Sequence, residues 1–112
     1  MGFFDLFRKK YTVISAQEAQ KMMAESNGYV LLDVRMEPEY KQERIDGAKL
    51  IPVDELKSRA SAELPDKQAR IFIYCRSGMR ATRAAEMLTN KGYTNVFTFG
   101  GITNWPYETV KG

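Results

Sequence analysis

The sequence predicts an α/β domain in which a mostly parallel β-sheet lies between layers of helices. Three observations carry that prediction. Short, nearly continuous apolar runs recur along the chain, as strands covered on both faces require. Segments with helical signals alternate with those runs, an order that implies right-handed βαβ crossovers and a parallel sheet. The length of 112 residues, 44% of them hydrophobic, suits one compact core and leaves little for a second.

The elements can be justified in chain order. Ser15 followed by Glu18 has capping-box spacing, so a helix is expected to start there, run through Ala16, Ala19, Met22 and Met23, and stop at Asn27 and Gly28. "YVLLDV", Tyr29 to Val34, reads as a buried strand. Pro38 suits the first turn of a helix, and "EPEYKQER" is polar enough to lie on the surface. "KLIPV" is a further short apolar run with Pro52 near its end.

"DELKSRASAE" is weakly helical, and Pro65 with Asp66 marks a turn. "ARIFIY" is the most strongly apolar strand candidate. Met79 to Lys91 has the best helical pattern, with Ala81, Ala84, Ala85 and Leu88 at spacings of three and four and Gly92 in the stop position. "NVFTF" supplies another strand before Gly100 and Gly101, and "ITNW" fits one short helical turn.

Composition removes whole classes of function. The single cysteine allows no internal disulfide, CxxC redox pair or cysteine-rich zinc site, and the absence of histidine removes the commonest metal ligand. Cys-His and Ser-His catalysis are excluded for the same reason. No metal and no cofactor is expected. The net charge of +3 is scattered among acidic residues with no basic stripe, so nucleic acid is not an expected partner, and a small anionic ligand suits this charge as well.

"MGFFDLFRKK" places Phe3, Phe4, Leu6 and Phe7 ahead of Arg8, Lys9 and Lys10. That is the reverse of a secretory signal, and no run reaches transmembrane length. These aromatics are expected to pack on the domain's own surface in preference to a partner or a membrane, and the protein is expected to be soluble and cytoplasmic.

The chemistry concentrates in "IFIYCRSGMRATRAAEML", which runs from Ile71 to Leu88. Ligands of open α/β sheets bind beyond the carboxyl ends of the strands, where Cys75 is expected to sit. A lone cysteine ending an apolar strand is commonly a small buried hydrophobe. Its flanks argue otherwise. Arg76, Ser77 and Arg80 are poor core neighbours, Gly78 permits the curved backbone of an anion-binding nest, and a helix starting near Met79 adds free N–H groups.

Such a loop favours thiolate, and the size of that effect can be bounded. For a generic thiol, lowering the pKa from about 8.5 to about 6.5 raises the thiolate fraction at pH 7 roughly 25-fold. A Brønsted coefficient near ~0.45 takes back about eightfold in nucleophilicity. The net gain is only about threefold. The larger role expected of the loop is therefore to bind an anionic substrate and hold an anionic intermediate.

"CRSGMR" resembles the active-site loop pattern CRxGxR of the rhodanese family of sulfurtransferases. "LLDVRMEPEYKQERIDGAKLIP" is similar to the same family's D-V-R, E-Y, G-A and I-P segment, and "GGITNW" to its Gly-Gly-x-x-x-Trp segment. The likeness extends from about Thr12 to Trp105, in order and spacing. It implies a three-layer rhodanese-like domain over 12–112, with a sheet of about five strands, preceded by an apolar and basic extension over 1–11.

The resemblance also implies a chemistry. Cys75 would take a sulfane sulfur from a small anionic donor such as thiosulfate, become a persulfide, and pass the outer sulfur to cyanide or a thiol. The amides of Arg76, Ser77, Gly78, Met79 and Arg80 would surround the persulfide, and the Arg76 and Arg80 guanidinium groups would attract the donor's oxygens. With one cysteine in the sequence, an external acceptor such as glutathione or a thioredoxin-like protein is required. Asp33 and Arg35 are expected to pair structurally and hold neighbouring loops, and Trp105 to be a core or lid residue. Glu43 and Arg44 depart from the family's usual Gly-His, which leaves Arg44 as a candidate extra positive charge beside the site.

Two rival readings stay open at this level. Cysteine-dependent phosphatases and arsenate reductases also use a thiolate in an anion loop, but with five residues between Cys and Arg where this chain has four. The other is a non-catalytic sulfur-carrier or redox-sensing module, since an exposed reactive thiol is oxidisable.

Overall fold

A computed structural model describes residues 10–112. The Phe3 to Phe7 segment lies outside the described residues. Five strands form one sheet: β1 (Thr12–Val13), β2 (Val30–Asp33), β3 (Lys49–Leu50), β4 (Ile71–Cys75) and β5 (Val96–Gly101). Their order is β1-β5-β4-β2-β3, and every pairing is parallel. Four helices connect them: α1 (Ala16–Glu25), α2 (Glu37–Gln42), α3 (Val53–Glu63) and α4 (Met79–Asn90). A short 3₁₀ turn, Ile102–Asn104, follows β5.

Side-chain alternation along β4 divides the core in two. Ile71, Ile73 and Cys75 face Val53, Leu56 and Ala60 of α3 and Ala81, Ala84, Ala85 and Leu88 of α4. Phe72 and Tyr74 face the opposite side, with Ala19 and Met23 of α1, Leu31 and Phe99. Helices thus cover both faces, and all five residues of β4 are buried, as its unbroken apolar run predicts. Burial of each large side chain there contributes roughly 1.5–3 kcal/mol.

The local signals act where they were expected. Ser15 Oγ accepts from the Glu18 N–H at 3.0 Å, and Glu18 Oε1 accepts from the Ser15 N–H at 3.1 Å, closing the capping box of α1. Pro38 occupies the first turn of α2. No local sequence signal marks β1. Its two residues are exposed, and only the parallel pairing to Phe97 and Thr98 makes them a strand. Tyr11, just before it, packs against the α3 and α4 side of the core.

The β4–β5 pairing carries one irregularity, at the reactive end. Ile73 pairs with Thr98, but Cys75 pairs with Gly101, so β5 has an extra residue opposite Tyr74. Gly100, at φ +83°, takes up the bend. Bulges of this kind re-aim strand ends beside active sites.

Candidate active site

Cys75 ends the central strand, and alternation points its side chain toward the face on which α4 begins. It is a free thiol, 1% exposed. Its Sγ accepts from the Gly78 N–H at 2.9 Å, which curls residues 76–78 around the sulfur. Gly78 holds φ +124°, a conformation that strains any side-chain-bearing residue, and it is the N-cap of α4. No side chain caps that helix, so its first-turn N–H groups remain free to meet an anion at the loop.

The far side of the loop is anchored by the turn after β5. The Arg76 carbonyl accepts from both the Thr103 N–H (3.2 Å) and the Thr103 hydroxyl (3.0 Å). Gly101 passes directly beneath, where an added Cβ would overlap the Arg76 carbonyl and the Ser77 nitrogen. The Gly-Gly segment thus has two separate physical roles: Gly100 supplies the bend and Gly101 the clearance. The Trp105 ring lies tilted against Phe99 at 5.4 Å and edge-to-face with Tyr107 at 5.0 Å, packing beside the core.

The charged residues around the loop divide by partner. Asp33, fully buried, takes the Arg35 guanidinium at 2.7–3.1 Å and the Arg35 N–H at 2.9 Å. Arg35 also donates to the Glu43 carbonyl at 2.6 Å, so the pair ties β2 to the end of α2. Burial disfavours the Arg35 cation, but the Asp33 hydrogen bonds and charge outweigh it and leave the pKa raised.

Arg80 is ion-paired. Its guanidinium makes two bonds to Glu39, at 2.7 and 3.0 Å, joining α4 to α2. Those bonds are the largest cause holding the Glu39 carboxyl at about 2, opposed by burial and helped by the Met36 N–H. The donors of Arg80, expected from the sequence to attract the donor's oxygens, face the Glu39 carboxylate in this structure. Arg76 is exposed and has no ion-pair partner among the described residues. Ser77 and Met79 are likewise exposed, and the amide seen on the sulfur is that of Gly78.

Arg44 does not stand over the thiol. It lies over the Tyr40 ring at 4.7 Å and donates to the Tyr40 carbonyl and to Gly112 O, both at 3.2 Å. Nothing near "CRSGMR" indicates that Glu39 and Thr103 meet the loop, because both contacts are remote in sequence; only the Gly-Gly-x-x-x-Trp spacing points toward Thr103.

A strand-end cysteine beneath free helix N–H groups, held by a glycine loop, is one arrangement; comparison decides the lineage. Residues 15–107 match the family described as "Rhodanese-like domain". This chain belongs to the rhodanese-like family. It is similar to the thiosulfate sulfurtransferase PspE of Escherichia coli, 38% identical over 81 residues, 72% of this chain and 78% of that protein. It is also similar to a sulfurtransferase of Allochromatium vinosum, 33% identical over 93 residues, 82% of this chain and 85% of that one. Other relatives are longer, and the chain spans as little as 20% of one. Among solved structures, a rhodanese with anions from E. coli superposes with a TM-score of 0.71 at 36% identity, over 76% of this chain and 100% of that one.

Within the rhodanese-like fold the loop from Cys75 to Arg80 has a clear shape. It is a short cradle whose sulfur is met by the Gly78 amide, and the residue that follows the cysteine, Arg76, is exposed. Such a site can bind an anion and stabilise negative charge on sulfur without metal, imidazole or disulfide. Among the described residues, no helix is long and apolar enough to cross a membrane.

Proposed function

We propose that the chain is a persulfide-forming sulfurtransferase acting on small anionic sulfane donors such as thiosulfate. The observation that carries this reading is the amide cradle: Gly78 N–H on the Cys75 sulfur, with the uncapped start of α4 behind it. Cys75 thiolate attacks the outer sulfur of thiosulfate. An S–S bond forms to Sγ, the bond to the sulfonate sulfur breaks, and sulfite leaves with the electron pair, so three negative charges enter and three remain. A thiolate or cyanide then attacks the terminal sulfur, the Cys75 S–S bond breaks toward Sγ, and the thiolate is regenerated.

The negatively charged terminal sulfur is where the cradle contributes most, because fixed N–H dipoles cost no reorganisation as charge moves outward. With one cysteine in the sequence, the acceptor is external, a small thiol such as glutathione or a thioredoxin-like protein. Reduced thiols of that kind are abundant in the cytoplasm, the compartment that fits a lone unpaired cysteine.

Phosphoryl or arsenate chemistry fits less well. Four residues separate Cys75 from Arg80, and the Arg80 donors face Glu39 instead of a tetrahedral oxyanion. Steady-state assays separate the two readings. Thiocyanate formation from thiosulfate and cyanide, without release of phosphate from an aryl ester, is the expected result; the opposite pattern overturns the proposal.

A further inference from the structure

Beside the loop, and outside the amide cradle, lies a pocket whose lining includes Arg35, Glu39, Glu43, Arg76, Thr103 and Lys111. Its charges are unequally matched. Arg35 is neutralised by Asp33 and Glu39 by Arg80, while the Glu43 carboxylate accepts the Thr109 hydroxyl at 2.6 Å. Arg76 and Lys111 are exposed and have no ion-pair partner among the described residues. Two unmatched cations, one of them Arg76 directly after Cys75 in the chain, thus line one concavity, against one carboxylate that is already hydrogen-bonded.

The segment that carries Lys111 is tied to Arg44 and to the end of α2. Residues 109–112 run back along the end of α2 as a strap. Val110 and Arg44 exchange both backbone hydrogen bonds, at 2.7 and 2.9 Å, in an antiparallel bridge. The Gly112 N–H donates to the Lys41 carbonyl at 2.7 Å, and the Arg44 guanidinium holds Gly112 O while lying on Tyr40. In an extended segment residues 109 and 111 project to the same side. Thr109 engages Glu43 at the pocket, so Lys111 is presented to the pocket as well.

Resting on the sulfur-transfer reading of Cys75, we propose that this strap, clamped by Arg44, supplies Lys111 as a second cation that works with Arg76 to recognise the anionic end of the sulfur substrate, a sulfonate or carboxylate. Lys111 is a binding residue and Arg44 a positioning residue. The site is distinct from the amide cradle, which holds the transferred sulfur itself. Charge recognition outside the cradle lowers KM for anionic substrates without altering bond breaking at Cys75.

The test compares Lys111→Gln, Lys111→Arg, Arg44→Gln and the Arg44→Gln/Lys111→Gln pair in the full chain. Lys111→Gln is expected to raise the KM for thiosulfate by about three- to tenfold with kcat within about twofold, and Lys111→Arg to restore it. Arg44→Gln should shift KM in the same direction, and the pair no further than Lys111→Gln alone, because Arg44 acts through Lys111. A thiosulfate KM unchanged by Lys111→Gln, or a fall in kcat at constant KM, overturns the proposal. Calorimetric binding of thiosulfate to Cys75→Ser, with and without Lys111→Gln, gives a readout free of turnover. Weaker binding without Lys111 supports the site, and equal or undetectable binding in both overturns it. If wild-type protein takes up no sulfur while Cys75→Ser binds thiosulfate through Lys111, the sulfur-transfer reading fails and the strap site stands.

Discussion

Gly101 runs beneath the Arg76 carbonyl with no room for a side chain, so the strand after the bulge and the reactive loop are packed backbone to backbone. Gly101→Ala must push the loop off the turn that Thr103 anchors. Overpacking of this kind costs about 1–3 kcal/mol, and a loop displaced by about 1 Å can cost about 100-fold in rate. Thermal unfolding and thiocyanate formation should both register the change. Gly78→Ala differs, because a Cβ there meets only an ordinary contact with Gly100 and the strain comes from φ +124° alone. A cost of about 1–2 kcal/mol is expected. A Gly101→Ala protein as active as wild type would contradict the packing account.

The Glu39–Arg80 pair sets a pH window. Glu39 sits at about 2 instead of its ordinary 4.5, with the Arg80 hydrogen bonds as the largest cause. A carboxyl whose folded pKa is lowered contributes stability above the unfolded value, and that stability is lost as pH falls through the folded one. The stability gap between wild type and Glu39→Gln should therefore be full above about pH 4.5 and shrink toward zero near pH 2. Both side chains are partly exposed, so solvent screening reduces the gap to about 1–2 kcal/mol. Urea titrations at several pH values measure it, and a gap that widens on acidification contradicts the assignment.

Asp33 and Arg35 behave differently because both are buried. Removing one partner strands a charge, which costs about 3–5 kcal/mol. Asp33→Asn is expected to lose that much and to loosen the Arg35 grip on the Glu43 carbonyl, whereas Asp33→Asn combined with Arg35→Met should recover part of it. Strictly additive losses in the double variant contradict a coupled pair.

Much of this was legible in local sequence. The capping box at Ser15 and Glu18, the apolar run of β4, the alanine spacing of α4 and the Cys75 to Arg80 loop each depend on neighbours within a few residues, and each has a direct structural counterpart. What escaped depends on long-range contact. Arg80 lies 41 positions from Glu39, so nothing near "CRSGMR" indicates that its second arginine is engaged. Thr12–Val13 is a strand only because β5 offers an edge. The charge of Arg44 alone suggests a place beside the thiol, whereas its contacts are with Tyr40 and the 110–112 segment, through a bridge no local pattern encodes.

The central claim is that Cys75 carries sulfur within the amide cradle, and intact mass tests it most directly. After incubation with thiosulfate and removal of excess donor, the protein should gain one sulfur, about 32 Da, lose it on addition of cyanide or a thiol, and show no gain as Cys75→Ser. A wild-type protein with no sulfur adduct, or an adduct that persists in Cys75→Ser, would contradict the account.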